Sequence, residues 1–390
     1  MLLRVLEVLE VLDDPAADGG AVAALFERYG HDGVGVEPVS GEGGKTEFVS
    51  IRVAGRRGSQ AGGDAPTLGV IGRLGGLGAR PEQIGFVSDG DGAVAAIAAA
   101  LQLVVMRARG DVLDGDVVVS THICPDAPTQ PHDPVPFMGS PVDMATMNAK
   151  EVDEGMDGIL SIDTTKGNRL VNHTGIALCP PVRQGWILRP TDGVLDVFQN
   201  VTGHLPVLVP LTMQDLTPYG NGLPHLNSIL QPWLATSAPV VGVAITAEAA
   251  VPGSATGTSR GTDIALAAQF AAEVAKGFGS GRLTLHHADE FAALVDRYGP
   301  MRQRLGSSSA LPAPKVAPEI EVWTRFWRWT DRKRRICASG TRATSIATSA
   351  PITEVLAVIP SVVIRWMPMI APSTASTMLR ISGTGSSTAG

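Results

Sequence analysis

The sequence predicts an α/β fold in which a mostly parallel central sheet is flanked by helices. Continuous apolar runs such as TLGVIG and VVGVAIT alternate with amphipathic or alanine-rich runs along residues 1–305. Unbroken apolar strands are typical of parallel sheets, because both faces of such a sheet are buried. Their alternation with helices favours helical layers on both sides of the sheet.

The first elements follow from local patterns. Residues 2–12 are apolar but interrupted by charges, which predicts an amphipathic helix rather than a secretory signal. A second helix is predicted at 20–29, and a β-strand at 46–53, where the sequence reads TEFVSIRV. The glycine-rich stretch GRRGSQAGGDAP that follows is typical of an exposed turn.

The long helix predicted at 88–110 has the clearest signals. It begins with acidic residues, continues with an alanine-rich apolar body, and ends at Arg107, Arg109 and Gly110. The strand predicted before it, at 67–76, ends in glycines.

The second half repeats the alternation with shorter runs. Strands are predicted where apolar residues cluster, and helices where the apolar spacing is three to four. The predicted strands lie at 116–121, 157–163, 170–178, 185–189, 205–211 and 239–248, and the predicted helices at 193–201, 225–234, 263–278 and 286–299.

Charge is unevenly distributed, which predicts a domain boundary near residue 305. Residues 1–305 carry 21 Lys or Arg against 34 Asp or Glu, a net charge of −13, whereas residues 306–390 carry 10 against 4. The 306–390 segment also holds four of the six tryptophans and ends in a Ser/Thr-rich run. We interpret it as a disordered or poorly packed tail; a nucleic-acid-binding tail and a mis-joined reading frame are the alternatives.

Composition narrows the class of protein. No apolar run reaches the roughly 18 uncharged residues of a membrane span, and the three cysteines form no CxxC pair. Both features predict a cytoplasmic protein that does not bind membranes. The acidic body argues against nucleic acid as a partner and favours a small-molecule or peptide-like substrate, with a homo-oligomer left open.

Polar residues follow several predicted strands. Arg73, His122, Asp163 and Glu248 each come at or just after a strand end, and Asp89 and Asp91 precede the long helix. Ligand sites of open α/β sheets lie beyond the carboxyl ends of the strands. We therefore expect these side chains at one edge of the sheet, although Asp89 and Asp91 would also suit helix capping and Asp163 an Asx turn.

A stretch with six prolines, residues 115–141, holds further candidate ligands. Proline fixes φ and lowers the entropy lost on ordering, so the side chains between the prolines can be pre-positioned. His122, Asp126 and His132 are ligand types suited to zinc, and the carboxylates also suit manganese. The alternative is that both histidines bond to neighbouring backbone. Lys166, His173 and His225 lie in turns and are candidate substrate-binding residues.

Five long motifs resemble a bacterial family known as domain of unknown function 1177. The resemblance covers roughly residues 1–303 and implies no activity. The motifs are GVIGRLGGLGARPEQIGFVSDGDGAVAAIAAAL, GDVVVSTHICPDAPTQPHDPVPFMGSPVDMATMN, ILSIDTTKGNRLVNH, TPYGNGLPHLNSILQP and SAPVVGVAITAEAAVPGSATG.

A more distant resemblance is to the co-catalytic zinc aminopeptidase and carboxypeptidase fold. It implies a zinc-peptidase-like three-layer sandwich, in which Asp89 or Asp91 bridges two metals and Asp163 is a further acidic ligand. The chain departs from that pattern in two places: Arg73 begins the Arg-Leu-Gly that stands where those enzymes carry His-x-Asp, and THICP stands where they carry Glu-Glu. Either the metal set is rebuilt around His122 and His132, or the metal chemistry is lost.

The leading hypothesis is a cytoplasmic metal-dependent hydrolase of a small amide or peptide-like substrate. A bound divalent ion, zinc or manganese, would lower the pKa of its water and polarise the carbonyl. The expected roles are metal ligation by Asp89, Asp91, His122, His132 and Asp163, base catalysis by Glu248 or Asp126, carboxylate binding by Arg73, and other substrate contacts by Lys166, His173 and His225. Alternatives are a non-catalytic binder of a small anion on a degenerate peptidase scaffold, and a metal-free isomerase or lyase.

Overall fold

A computed structural model of the chain describes residues 1–73, 75–130, 137–165, 172–209, 228–248, 259–299 and 301. All of them belong to one compact unit, Met1–Lys315. The predicted tail at 306–390, His132, Lys166 and His225 lie outside the described residues, as do parts of the predicted strand at 205–211 and helix at 225–234.

Seven α-helices and ten strands are described. The helices are α1 Leu2–Leu12, α2 Gly19–Glu27, α3 Asp91–Ala108, α4 Met144–Glu151, α5 Asp192–Thr202, α6 Gly261–Gly279 and α7 Ala288–Tyr298. The strands are β1 Val34–Gly41, β2 Gly44–Val53, β3 Leu68–Gly72, β4 Val117–Ile123, β5 Thr129–Gln130, β6 Phe137–Met138, β7 Gly158–Thr164, β8 Gly175–Arg183, β9 Trp186–Ile187 and β10 Val240–Thr246.

Eight of the strands form one sheet in the order β1-β2-β4-β3-β7-β10-β8-β9. The four central strands β4, β3, β7 and β10 are parallel, and the strands on either side of them pair antiparallel. This arrangement confirms the predicted α/β class. Strands β5 and β6 form a separate two-stranded ribbon.

Helices cover both faces of the sheet. Helices α1, α3, α5 and α6 pack on one face, where Leu160 and Ile162 of β7 join the largest apolar cluster. Helix α4 and a 3-10 helix, Ser228–Ala235, cover the other face, which we call the α4 face, and Ile159 of β7 belongs to the cluster there. Successive strand residues alternate between the faces, so odd-numbered β7 residues point to the α4 face.

Helix α3 is the central core helix. Within the described part of the chain, Ser88–Ala108 is the one segment long and apolar enough to cross a membrane by composition, and 78% of its most apolar window is buried in the protein. Its alanine-rich surface lets it lie close to the sheet, because small side chains allow near approach of the backbones.

Two predicted elements need correction, and two further elements were missed. The described part of the predicted strand at 205–211 forms only an isolated bridge between Leu178 and Leu208. The predicted helix at 225–234 is a 3-10 helix where it is described, and Pro232 inside it cannot donate the backbone hydrogen bond of an α-helix. Strand β1 and helix α4 were not predicted. Strand β1 is an edge strand exposed on most of its length, and α4 has only eight residues, so neither carries a long apolar pattern.

Candidate functional site

Two acidic segments meet at the carboxyl end of the central strands. An ideal Cβ on Gly92, in the first turn of α3, would lie 2.5 Å from the backbone oxygen of Ile162 on β7. Thr164 Oγ1, at the end of β7, donates to the backbone oxygen of Ser88 at 2.6 Å. The turn that carries Asp89 and Asp91 therefore lies directly against the strand that carries Asp163.

We call Asp89, Asp91 and Asp163 the acidic rim. Their exposed fractions are 4%, 0% and 2%. Asp91 accepts a hydrogen bond from the hydroxyl of Ser259, and Asp163 Oδ1 accepts the Thr164 backbone N–H at 2.7 Å. Helix α3 begins after Gly90 without a side-chain cap, so neither aspartate serves as its N-cap residue.

The sheet register aligns three further predicted residues. Ile71 of β3 is level with Ser120 of β4 and with Ser161 of β7. Continuing by two residues places Arg73 between His122 and Asp163 in one row on the α4 face, with neighbouring strands about 4.8 Å apart. The expectation that these strand ends lie side by side is confirmed by this register.

Arg73 is fully buried and paired with Glu151. Arg73 Nη1 lies 2.6 Å from Glu151 Oε2, both side chains are 0% exposed, and Nη1 also donates to Asn148 Oδ1 at 3.1 Å. Burial raises the pKa of Glu151, and Arg73 partly opposes that rise. The predicted binding of a substrate carboxylate by Arg73 would require this ion pair to open.

His122 is held on both sides of its ring. Its Nδ1 lies 2.9 Å from Thr46 Oγ1, and its Nε2 accepts the Gly75 backbone N–H at 3.0 Å. Because that N–H can only donate, the ring proton sits on Nδ1 and points to Thr46, whose own hydroxyl donates to Ile123. Burial, with the nearby Arg73, lowers the pKa of His122 to about 3. The ring is neutral, and a metal would have to displace one of these bonds.

The remaining candidates differ in exposure. Glu248 and Asp126 are exposed, and His173 is half-buried with Nε2 donating to the Ile176 backbone oxygen at 3.1 Å. Asp126 lies near Cys124, whose pKa is raised to about 12 by burial and by that carboxylate, so the thiol is a poor nucleophile. The catalytic and substrate-binding roles of these residues stay predictions.

Sequence reasoning missed Glu151, Asn148 and Ser259. Asn148 and Glu151 are three residues apart on α4, which places them on one helix face, but α4 itself was not predicted. Ser259 lies in a glycine- and serine-rich stretch, VPGSATGTSRG, that resembles an ordinary loop. Only the tertiary structure brings these residues to the strand ends.

The described residues do not fit a divalent metal by themselves. No three His, Cys, Asp or Glu side chains within the described ranges converge on a point that could hold an ion. Both nitrogens of His122 make hydrogen bonds, and the guanidinium of Arg73, in the same row, is bound by Glu151 and Asn148. His132, a further predicted ligand, lies outside the described residues.

A family model described as a protein of unknown function, DUF1177, matches residues 37–306, more than half of the 390 residues. The chain belongs to the DUF1177 family. The predicted family is therefore confirmed, and membership in DUF1177 brings no activity with it. A comparison with curated proteins finds no match to this DUF1177 chain.

Solved structures similar to this DUF1177 chain include aminopeptidases. The LapA aminopeptidase of Legionella pneumophila shares 10% identity at a TM-score of 0.41, over 74% of this chain and 72% of that one. The leucine aminopeptidase LAP1 of Caenorhabditis elegans shares 14% at 0.40, over 70% and 64%. A leucyl aminopeptidase of Trypanosoma brucei in complex with bestatin shares 12% at 0.41, over 69% and 61%.

The chain thus spans less than two thirds of the last two enzymes. At this identity and TM-score, the likeness carries no argument about activity.

Proposed function

We propose that the protein binds a small, positively charged, peptide-like molecule at the acidic rim and does so without a metal. The observation that carries the proposal is the placement of three buried carboxylates on two segments that pack against each other at the strand ends. Arg73 and Glu151 offset each other, and His122 is neutral. Among the described residues of this region, the three aspartates therefore give an excess of negative formal charge, which favours a cationic occupant.

Ser259 is the point where the acidic rim approaches the surface. It is half-buried, and its hydroxyl donates to Asp91, so its oxygen can still accept a bond from a ligand. An ammonium group placed here would donate to Ser259 and to the carboxylate behind it. Charge-assisted hydrogen bonds of this kind are strong in a poorly solvated site.

The test is isothermal titration calorimetry in EDTA with alanyl-leucine amide and its N-acetylated form, which lacks the positive charge. We expect the free amine to bind and the acetylated form not to bind. Asp91→Asn should weaken binding about 10- to 100-fold, the value of one charge-assisted hydrogen bond. Glu27→Gln, an exposed acid on α2, is the control and should bind as the natural protein does. Equal binding of the two ligands, or full affinity in Asp91→Asn, would contradict the proposal.

Metal-dependent hydrolysis of a small amide or peptide-like substrate is the second candidate. It is favoured by the chemistry of the acidic rim, because carboxylates beyond parallel strands are common ligands of zinc or manganese. It needs ligands beyond those described, and His132 is the first to examine. Mass spectrometry of the same dipeptide amide after incubation with zinc or manganese separates the candidates: cleavage would establish hydrolysis, and an intact ligand favours binding alone.

A further inference from the structure

A surface groove lies between α1 and the loop that leads to α3. Its volume is about 820 Å³, within the range of roughly 300–1,000 Å³ that is typical of small-molecule sites. Leu6, Leu9 and Phe86 supply its apolar lining, and Glu10, Asp13 and Asp14 supply its acidic lining. The groove is therefore amphipathic.

The groove residues of α1 share one side of the helix. Leu6 and Glu10 are four residues apart and Leu6 and Leu9 three. Leu9 directly precedes Glu10 near the C-terminal end of α1, and Asp13 and Asp14 lie in the turn after it. A ligand lying along this side of α1 would therefore contact apolar and acidic side chains next to each other.

Two of the acids are not neutralised by a described cation. Asp13 lies 3.9 Å from Arg80, whereas Glu10 and Asp14 make no ion pair with any residue in the described ranges; Asp14 only accepts the Ala16 backbone N–H. Both side chains belong to exposed residues. The acidic lining of the groove therefore retains negative charge that can attract a ligand.

The groove joins the acidic rim through two residues. Ser259 lines the groove and donates to Asp91. Phe86 also lines it, and its ring lies against Gly90, where an ideal Cβ would be 2.5 Å from Phe86 Cζ. A ligand held at Ser259 can thus extend directly into the groove.

We propose that the groove binds a lysine-type side chain of the ligand. The amino-terminal amine of the same ligand binds at Ser259 and Asp91, so this inference rests on the proposed function. A lysine side chain has an apolar stem and a charged end. The stem contacts Leu6, Leu9 and Phe86, and the ammonium group lies beside Glu10 and Asp14. The expected ligand is therefore a small peptide-like molecule with two positive charges.

The test compares alanyl-lysine amide with alanyl-norleucine amide, which keeps the stem and lacks the charge, by calorimetry in EDTA. The natural protein should prefer the lysine ligand about fivefold or more, as expected for two exposed charge interactions. Glu10→Gln/Asp14→Asn should lose this preference and keep its affinity for the norleucine ligand. Glu27→Gln/Glu154→Gln, the same charge change at exposed positions that do not line the groove, should keep the preference.

Two failures are distinguishable. If the natural protein binds both ligands equally, or if the preference survives in Glu10→Gln/Asp14→Asn, the groove proposal is wrong while binding at the acidic rim stands. If neither ligand binds, or if Asp91→Asn binds both at full affinity, the proposed function fails and the groove proposal with it.

Discussion

At the scale of single residues, the burial and pairing of Arg73 constrain the side chains next to it at the strand ends. Its guanidinium lies in the row between His122 and Asp163 and is bound by Glu151 and Asn148, with no exposed surface. Burial, with this nearby positive charge, lowers the pKa of His122. Substrate binding by Arg73 stays a prediction, and it would require this buried ion pair to open.

Removing one member of the Arg73–Glu151 pair should destabilise the protein strongly, whereas replacing both members with apolar residues should have a small effect on stability. Glu151→Gln leaves the guanidinium buried without a counter-charge, and we expect the free energy of unfolding to fall by about 3–5 kcal/mol. Arg73→Met/Glu151→Leu removes both charges and should recover most of that loss. Urea unfolding of the single and double variants measures both effects.

The control for this cycle is the exposed pair of Lys150 and Glu37. Lys150→Met should cost about 1 kcal/mol or less, because exposed ion pairs contribute little. If Glu151→Gln costs no more than Lys150→Met, the buried pair is not the constraint that we describe.

At the scale of elements, the close approach of α3 to the sheet positions the acidic rim. Gly72 at the end of β3 and Gly92 in α3 both face backbone: an ideal Cβ on Gly72 would lie 2.7 Å from the oxygen of Gly92. No larger residue fits at either position without displacing the helix. The glycines therefore place Asp89 and Asp91 against β7.

Gly92→Ala should destabilise the protein by about 1–3 kcal/mol, because its Cβ would meet the Ile162 backbone oxygen at 2.5 Å. Gly193→Ala is a matched control, since Gly193 is also the second residue of a helix after an aspartate and its Cβ would meet Leu283 at an ordinary 3.6 Å. We expect Gly193→Ala to be neutral or stabilising by about 0.5–1 kcal/mol. Thermal or urea unfolding compares the two; equal effects would argue against a packed α3 terminus.

Long elements were predictable because their apolar periodicity is strong. The bounds of α1 agree with the prediction, and those of α3 and α6 fall within three residues of it. Helix α4 was missed, and with it the partner of Arg73, because eight residues of mixed polarity carry little periodic signal. The convergence of strand ends follows from parallel topology and was predictable, whereas the identity of each side-chain partner depends on tertiary contacts.

At the scale of the whole molecule, the acidic body and the acidic rim have the same sign. Residues 1–305 carry a net charge of −13, which raises the local concentration of cationic ligands and speeds their association. This net charge could be counted from the sequence alone. The sequence left a rebuilt metal set and the loss of metal chemistry as alternatives, because hydrogen bonds to both nitrogens of His122 cannot be read from residue order.

The central proposal is that the acidic rim binds a cationic ligand without a metal. Elemental analysis of protein purified without chelator, from cells supplied with zinc and manganese, tests it most directly. We predict less than about 0.1 equivalent of either metal, because the described ligand set is incomplete. About one or two tightly held equivalents, lost in Asp163→Asn, would contradict the claim and favour the metal-dependent hydrolase.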